Sequence, residues 1–328
     1  MQALVLTSFT APMTIEHLPV PQPGPGQVLV RIAASGVNPL DTKIAAGAAP
    51  HARPRLPAIL GIDLAGTVAA VGDGVTTFHV GATVYGMAGG IAGIQGSLAE
   101  YGIFDAALLA PVPPALRLRE AAALPLVFIT AWEGLVDRAR VKAGDSVLVH
   151  GGAGGVGHMA VQLAVALGAR VYATGSAASR ATIEALGARF IDYRTSTVND
   201  YVAEHTGGAG FDIVYDTVGG ATLDASFQAA RIYGGHVVSC LGWGTFALSP
   251  LTARAASYSG VFTLLPLLSG EHHARHGAIL REANKLIDAG KLQVRLDPRR
   301  FSLHTAHEAH VAQMDGSARG KLVVDVGD

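Results

Sequence analysis

The sequence predicts an α/β protein of two domains, a β-rich part and a doubly wound parallel-sheet part. Three observations predict it. The run Ser146-Val147-Leu148-Val149 is followed by His150-Gly151-Gly152-Ala153-Gly154-Gly155-Val156-Gly157 and then by the periodic segment His158 to Leu167, the order strand, tight turn, helix. From Ser146 onward, strand-like and helix-like segments alternate, which is the pattern of a parallel sheet with crossover helices. Before about residue 120, short alternating runs are separated by proline and glycine turns, with no sustained helical period.

The elements follow in order. Ala3 to Leu6, Met13 to His17 and Gln27 to Ala33 read as strands, the last with Val28, Val30 and Ile32 on one face. Ser35 to Lys43 interrupts them with turn formers and a polar cluster, and Ala45 to Pro57, rich in alanine, proline and arginine, reads as an exposed loop. Ile59 to Leu64, Gly66 to Val71, Ala82 to Tyr85 and Ser97 to Phe104 are further strands around the glycine-rich stretch Gly86 to Gly96. Arg119 to Pro125 and Val127 to Val136 are helical. The alternation then gives strands at Arg170 to Thr174, Phe190 to Tyr193, Ile213 to Thr217 and His236 to Leu241. Helices fall at Val156 to Leu167, Ala178 to Leu186, Val198 to His205 and Leu223 to Ala230. Past Gly260 come the apolar run Val261 to Leu265, a helix from about His273 to Ala289, a strand Leu292 to Leu296, a helix Thr305 to Met314 and a last strand Lys321 to Val326. The expected division is residues 1–120, 121–264 and a C-terminal return 265–328.

Totals exclude several classes. With 328 residues, 50% hydrophobic and a formal net charge of -1, the chain can bury more than one core and offers no polyelectrolyte surface for nucleic acid. A mean hydropathy of +0.36 invites a membrane reading, yet no window approaches the ~18 uninterrupted apolar residues of a spanning helix. Met1 to Thr7 lacks the basic and apolar regions of a signal peptide, so a soluble cytoplasmic protein is expected. Cys240 stands alone, which excludes an internal disulfide and a multi-cysteine zinc site.

Within the turn, Gly152, Gly154 and Gly157 satisfy G-x-G-x-x-G. One glycine permits the turn, one admits backbone to a pyrophosphate and one lets helix pack on strand, while the helix N-terminus presents N–H groups to the phosphates. At the end of the next strand an acid would bind ribose hydroxyls and repel a 2′-phosphate. This chain has Gly175-Ser176-Ala177-Ala178-Ser179-Arg180 there instead, which favours NADPH over NADH, with Ser176 and Arg180 around the phosphate. Arg180 is also readable as a solvated helix residue, and Tyr193 either as a contact to the adenosine phosphate or as packing at the edge of the core.

Six stretches, in order, resemble the zinc-independent quinone oxidoreductase, zeta-crystallin-like branch of the medium-chain dehydrogenase/reductase superfamily. They are Gly36-Val37-Asn38-Pro39-Leu40-Asp41-Thr42, Gly61 to Val68, Ala123 to Leu126 with Thr130-Ala131-Trp132, Gly152 to Gly157, Val214 to Gly220, and Ala309-His310 with Gly320 to Val323. The resemblance implies a chaperonin-10-like (GroES-like) catalytic domain, made by the N-terminal region and the C-terminal return, beside a Rossmann NADP-binding domain, with the active site in the cleft between them. It implies homodimers through the Rossmann domain, involving Val261 to Leu268. It also implies cofactor contacts from Asn38, Thr130, Gly155, Val156, Val218, Leu241, Gly242, Phe262 and Lys321. Relatives place a phosphate-binding lysine where this chain has Ala178.

Where zinc-dependent relatives carry Gly-His-Glu, this chain has Gly61-Ile62-Asp63, and isoleucine cannot bind a metal. The expectation is therefore no zinc, and without a Lewis acid an alcohol is a poor hydride donor whereas an electron-poor acceptor is still reducible. Asn38, Asp41 and Lys43 lie in the loop the family places beside the nicotinamide, and many relatives have tyrosine at the position of Lys43. Lys43 would polarise a carbonyl or donate a proton. The competing readings are an Asx-turn at Asn38-Pro39 and a surface salt bridge between Asp41 and Lys43. Tyr85 is a further donor candidate, more simply a core tyrosine. His272 with His276, and His304, His307 and His310, are helically spaced but lack the cysteine or carboxylate partners of a metal site, and are expected at the surface. The expected function is hydride transfer from NADPH to a small electrophile, a quinone or an α,β-unsaturated carbonyl. The alternatives are an enoyl or alkenal reductase without quinone activity, or a non-catalytic NADPH-binding protein of the crystallin type.

Overall fold

In the computed structural model, which describes residues 1–327, the chain forms two units, Met1–Leu126 together with the residues from Leu264 onward, and Val127–Thr263. The first unit opens with β1 (Gln2–Leu6), paired antiparallel with β2 (Thr14–His17). The long β3 (Gln27–Gly36) is its central strand, with β5 (Asp63–Val71), β7 (Tyr101–Asp105) and β16 (Val323–Asp325) as neighbours, and carries Val28, Val30 and Ile32 fully inside. A helix, α1 (Pro39–Ala45), follows where the sequence suggested only turn formers. Proline at the first helical position forfeits no hydrogen bond, and the Asp41 carboxylate accepts the Asn38 N–H at 2.8 Å.

The expected exposed loop Ala45 to Pro57 is largely that, with two buried anchors. Ala49 and Ala52 are completely buried, a 3₁₀ turn covers Pro50–Ala52, and the Ala52 carbonyl accepts the Ala92 N–H at 3.0 Å. Alanine is small enough to be packed without leaving a readable period, which is why the pattern was silent.

The short β4 (Ala58–Ile59) completes a three-stranded sheet with β1 and β2, while β5 (Asp63–Val71), β6 (Thr83–Met87), β7 (Tyr101–Asp105) and β8 (Leu109–Pro111) join the sheet of β3, and α2 (Leu118–Ala122) follows. The expected strand Ile59 to Leu64 is broken in two at Gly61, whose φ of +98° lies in the left-handed region. That break allows Asp63 to start β5 with its side chain wholly enclosed.

After α3 (Pro125–Trp132) and a π-helical turn Glu133–Arg138, the second unit runs β9 (Ser146–His150), α4 (Gly155–Ala166), β10 (Arg170–Gly175), α5 (Arg180–Ala185), β11 (Arg189–Asp192), α6 (Val198–Thr206), β12 (Ile213–Asp216), α7 (Ala221–Ala229), β13 (His236–Ser239), α8 (Ser249–Ala253) and β14 (Ser257–Gly260). Its strands are all parallel in the order β11-β10-β9-β12-β13-β14. This is the doubly wound arrangement the alternation predicted, with the direction of winding reversing between β9 and β12. Leu148, Val214 and Val237 lie at the centre of its core, packed with Phe211, Phe227 and Leu223.

The chain then returns to the first unit as α9 (Leu265–Ser269), α10 (His273–Asp288), β15 (Phe301–Ser302), α11 (Ala306–Met314) and β16 (Val323–Asp325). No strand forms at Leu292 to Leu296, where only the isolated bridge Leu296 to Lys321 survives. The reason is Asp297, whose carboxylate accepts the Arg299 N–H at 3.0 Å and the Arg319 N–H at 2.8 Å and so turns the backbone out of the ladder.

Two histidines expected at the surface are inside. His276 and His310 occupy the inward faces of α10 and α11, and burial lowers both pKa values to about 4, so they are neutral core residues. His272, His304 and His307 are exposed as expected. No helix among the described residues is long and apolar enough to cross a membrane.

Candidate functional site

The glycine turn is tied to its neighbours before any ligand is considered. Gly151, at φ +71°, donates its N–H to Thr174 Oγ1 at 3.2 Å, and Gly152 donates to the Thr174 carbonyl at 2.9 Å, so β10 fixes the start of the turn. A Cβ on Gly157 would run into the Gly151 carbonyl oxygen, and one on Gly152 would lie 2.5 Å from the Ala173 Cβ. Gly154 differs. A Cβ there would meet only the Gly151 oxygen, at 3.2 Å, and would project into open space ahead of α4. Two glycines thus serve packing and one leaves a clear approach to the first-turn N–H groups of Gly155, Val156 and Gly157, which have no intrahelical acceptor. The turn therefore fits a dinucleotide pyrophosphate. His150, immediately before it, is buried and held near pKa 4 by desolvation against the pull of the Asp216 carboxylate, so it adds no charge there.

At the ends of β10 and β11, Ser176 is half-buried and Tyr193 is exposed. Arg180 is already engaged, ion-paired to Glu184 at 3.2 Å and lying over the Phe190 ring at 4.3 Å from its centroid. The sequence reading missed Arg194, whose guanidinium stands over the Tyr193 ring at 5.7 Å. Its signal was available, a basic residue directly after the tyrosine that ends the strand.

On the far side of the winding reversal, Val218 and Gly242 are exposed and Leu241 and Phe262 half-buried. Thr130 is buried, its carbonyl accepting the Tyr215 hydroxyl at 2.6 Å.

The first unit holds a second assembly of polar groups. Lys321 Nζ donates to the Val37 carbonyl at 2.8 Å and to Asn38 Oδ1 at 2.6 Å. Asn38 Nδ2 donates in turn to Asp63 Oδ2 at 2.9 Å, and Asp63 Oδ1 accepts the Leu126 N–H at 3.0 Å. Asp41 accepts the Asn38 N–H, so both the side chain and the backbone of Asn38 are fixed. All four residues are buried. Burial pushes the pKa of Asp41 up to about 7 and that of Asp63 to about 6, and it lowers that of Lys321, with the opposite charges pulling back in each case.

Structure thus brings Asn38, Asp41 and Lys321 together and adds Asp63, which the sequence reading weighed only as the neighbour of a missing metal ligand. An acid inside the run Ile59 to Ala65 was its signal. Lys43 stands apart on the exposed face of α1, so the surface salt bridge with Asp41 does not form. The Tyr85 hydroxyl is spent in the core, its one proton shared between Asn284 Oδ1 at 2.7 Å and the Leu280 carbonyl at 3.0 Å. Part of the glycine-rich stretch, Gly90 to Gln95, lines a cavity of about 300 Å³ that Glu16 and Arg55 also border.

An alcohol dehydrogenase superfamily protein from Novosphingobium aromaticivorans superposes on this chain with a TM-score of 0.98 and 54% identity, each chain covered in full. The chain belongs to the medium-chain dehydrogenase/reductase superfamily. Family models described as alcohol dehydrogenase GroES-like domain and zinc-binding dehydrogenase match residues 24–114 and 186–324. A mycobacterial quinone oxidoreductase is similar to this dehydrogenase/reductase at 31% identity and a TM-score of 0.84, covering 99% of both chains. Among curated proteins, the phthioceranic/hydroxyphthioceranic acid synthase of Mycobacterium tuberculosis is 35% identical over 312 residues. That stretch is 93% of this chain but 14% of the synthase, so the chain spans about one seventh of that relative.

Among the described residues no group of three or more His, Cys, Asp or Glu side chains converges to hold a metal ion, and Asp63, beside Ile62, is committed to Asn38 and the Leu126 amide.

Proposed function

We propose that this oxidoreductase passes a hydride from NADPH to an electron-poor acceptor, a quinone or an α,β-unsaturated carbonyl, without a metal ion. The observation that carries the proposal is the glycine turn, in which Gly152 and Gly157 are closed by packing while Gly154 leaves the N-terminus of α4 open. The bound nicotinamide supplies the hydride. The chain's own residues bind and orient. The amides of Gly155, Val156 and Gly157 donate to the pyrophosphate. Ser176, Tyr193 and Arg194 surround the 2′-phosphate, with Arg180 released from Glu184 as a further contact.

Of the four polar residues of the 38–43 stretch, Lys43 alone is exposed, and its ammonium polarises the acceptor oxygen and gives it a proton. Asn38 and Asp41, with Lys321 and Asp63, stand behind it and hold the backbone of α1 in place. A quinone or enone suits such a site, because it accepts hydride without a Lewis acid. The similarity to a quinone oxidoreductase supports the same acceptor class. A homodimer is proposed through the second unit, where β14 is the edge strand of the sheet.

The test follows NADPH oxidation with 1,4-benzoquinone, 9,10-phenanthrenequinone, an alkenal and a simple aldehyde, with and without chelator. Chelator-insensitive turnover of a quinone or alkenal, and none of the aldehyde, is expected; turnover abolished by chelator would refute the metal-free reading. NADPH binding without turnover of any acceptor would establish the crystallin-type alternative. In the same assay Lys43→Ala is expected to lower kcat about 100-fold, the lower range for loss of a general acid, with NADPH affinity unchanged.

A further inference from the structure

Two loops leave the carboxyl ends of β12 and β13, and one buried carboxylate joins them. Asp216 closes β12 and is completely enclosed. Its Oδ1 accepts the Val218 N–H at 3.0 Å and the Gly219 N–H at 2.9 Å. Its Oδ2 accepts the Ser239 hydroxyl at 2.7 Å. Ser239 Oγ in turn accepts the Leu241 N–H at 3.0 Å. The chain Val218–Asp216–Ser239–Leu241 therefore fixes the backbone of both loops. They also touch directly, since a Cβ on Gly219, which sits at φ +80°, would come within 2.7 Å of the Leu241 carbonyl oxygen.

These loops lie on one side of the winding reversal between β9 and β12, and the ends of β10 and β11 lie on the other. A dinucleotide bound with its pyrophosphate at the glycine turn spans that reversal. Its adenosine half then covers Ser176 and Tyr193, and its nicotinamide half covers Val218, Leu241 and Gly242. Charge-assisted hydrogen bonds to a buried carboxylate are among the strongest a protein makes, and those of Asp216 come from two loop amides and from the Ser239 hydroxyl that holds a third.

We infer that Asp216, acting through Ser239, is the positioning residue for the nicotinamide half of the dinucleotide, an inference that rests on the dinucleotide reading of the glycine turn. Asp216 does not touch the ligand; it sets where Val218 and Leu241 meet it. Asparagine keeps one oxygen for the Val218 and Gly219 amides, which already share Oδ1, but puts an N–H donor where Oδ2 accepts the Ser239 hydroxyl, so the link between the two loops is lost while the adenosine side is untouched.

The experiment titrates NADPH and 2′,5′-ADP, which carries only the adenosine side, against the full chain, Asp216→Asn and Ser239→Ala, by calorimetry. Asp216→Asn is expected to weaken NADPH about tenfold, the loss of one charge-assisted bond, and to leave 2′,5′-ADP within about twofold. Ser239→Ala, which removes only the link to the second loop, is expected to weaken NADPH by a smaller factor in the same selective way. It also keeps the test open if Asp216→Asn fails to fold. Unchanged NADPH affinity in both variants, or equal weakening of the two ligands, would overturn the inference. If the unaltered chain bound neither ligand, the dinucleotide reading itself would fall, an outcome distinct from any result on the variants.

Discussion

Asp41→Asn is expected to flatten the pH dependence of stability in the first unit. Asp41 is 2% exposed, and burial lifts its pKa well above the usual carboxylate range, to about 7. An acid whose pKa is higher in the folded than in the unfolded chain binds more protons when folded across the interval between the two values. Its contribution to stability is then fully present below about pH 4 and is lost as pH rises toward about 7. One proton corresponds to about 1.4 kcal/mol per pH unit, so moving from about pH 5 to pH 7 costs on the order of 2 to 3 kcal/mol. Asp63 adds a parallel loss that ends near pH 6. Asparagine can keep the acceptor for the Asn38 N–H while carrying no charge, so the variant should lose about 1.4 kcal/mol per pH unit of slope over this range. Urea unfolding at several pH values, followed by hydrogen exchange in the peptide covering α1, measures it. Tryptophan fluorescence would report the wrong unit, because Trp132 and Trp243 both lie within Val127–Thr263. Parallel pH profiles for the two proteins would refute the argument that Asp41 is a desolvated acid.

Two further outcomes follow from the second unit. Gly154→Ala is expected to change unfolding free energy by less than about 1 kcal/mol, because its φ of -74° suits alanine, yet to weaken NADPH binding at least about tenfold by obstructing the pyrophosphate. Gly157→Ala, whose Cβ meets backbone, should instead cost upwards of about 1 kcal/mol of stability, and equal thermal shifts in the two variants would contradict the division of roles. Arg194→Ala should weaken NADPH about tenfold and NADH little, and Arg180→Ala should do so less, since its ion pair with Glu184 must first break; equal losses for both cofactors would remove the 2′-phosphate role.

The doubly wound half was legible because its signals are local. A buried parallel strand is a short β-branched run, a crossover helix has its own period, and a turn that must admit a pyrophosphate needs glycine at fixed spacing whatever lies elsewhere in the chain. The β-rich half was legible in class but not in detail. Alanines 49 and 52 pack without a period, Gly61 breaks a run that reads as one strand, and Asp297 diverts a stretch with a strand-like pattern. Helical spacing of His276 and His310 was visible, but the face each would show was not.

Six stretches spread along the chain were enough for the superfamily, and signals within one turn, strand or helix were enough for the fold of the second unit and for proposing its glycine turn as a phosphate site. The sequence also named Asn38, Asp41 and Lys321 one by one. Tertiary packing alone brings these three around Asp63 and lets Asp216 and Ser239 join two loops. Such contacts join residues as far apart as Asn38 and Lys321, and nothing in local spacing encodes which distant side chain will satisfy a buried charge. Burial then gives those groups pKa values that neither residue has in an unfolded chain.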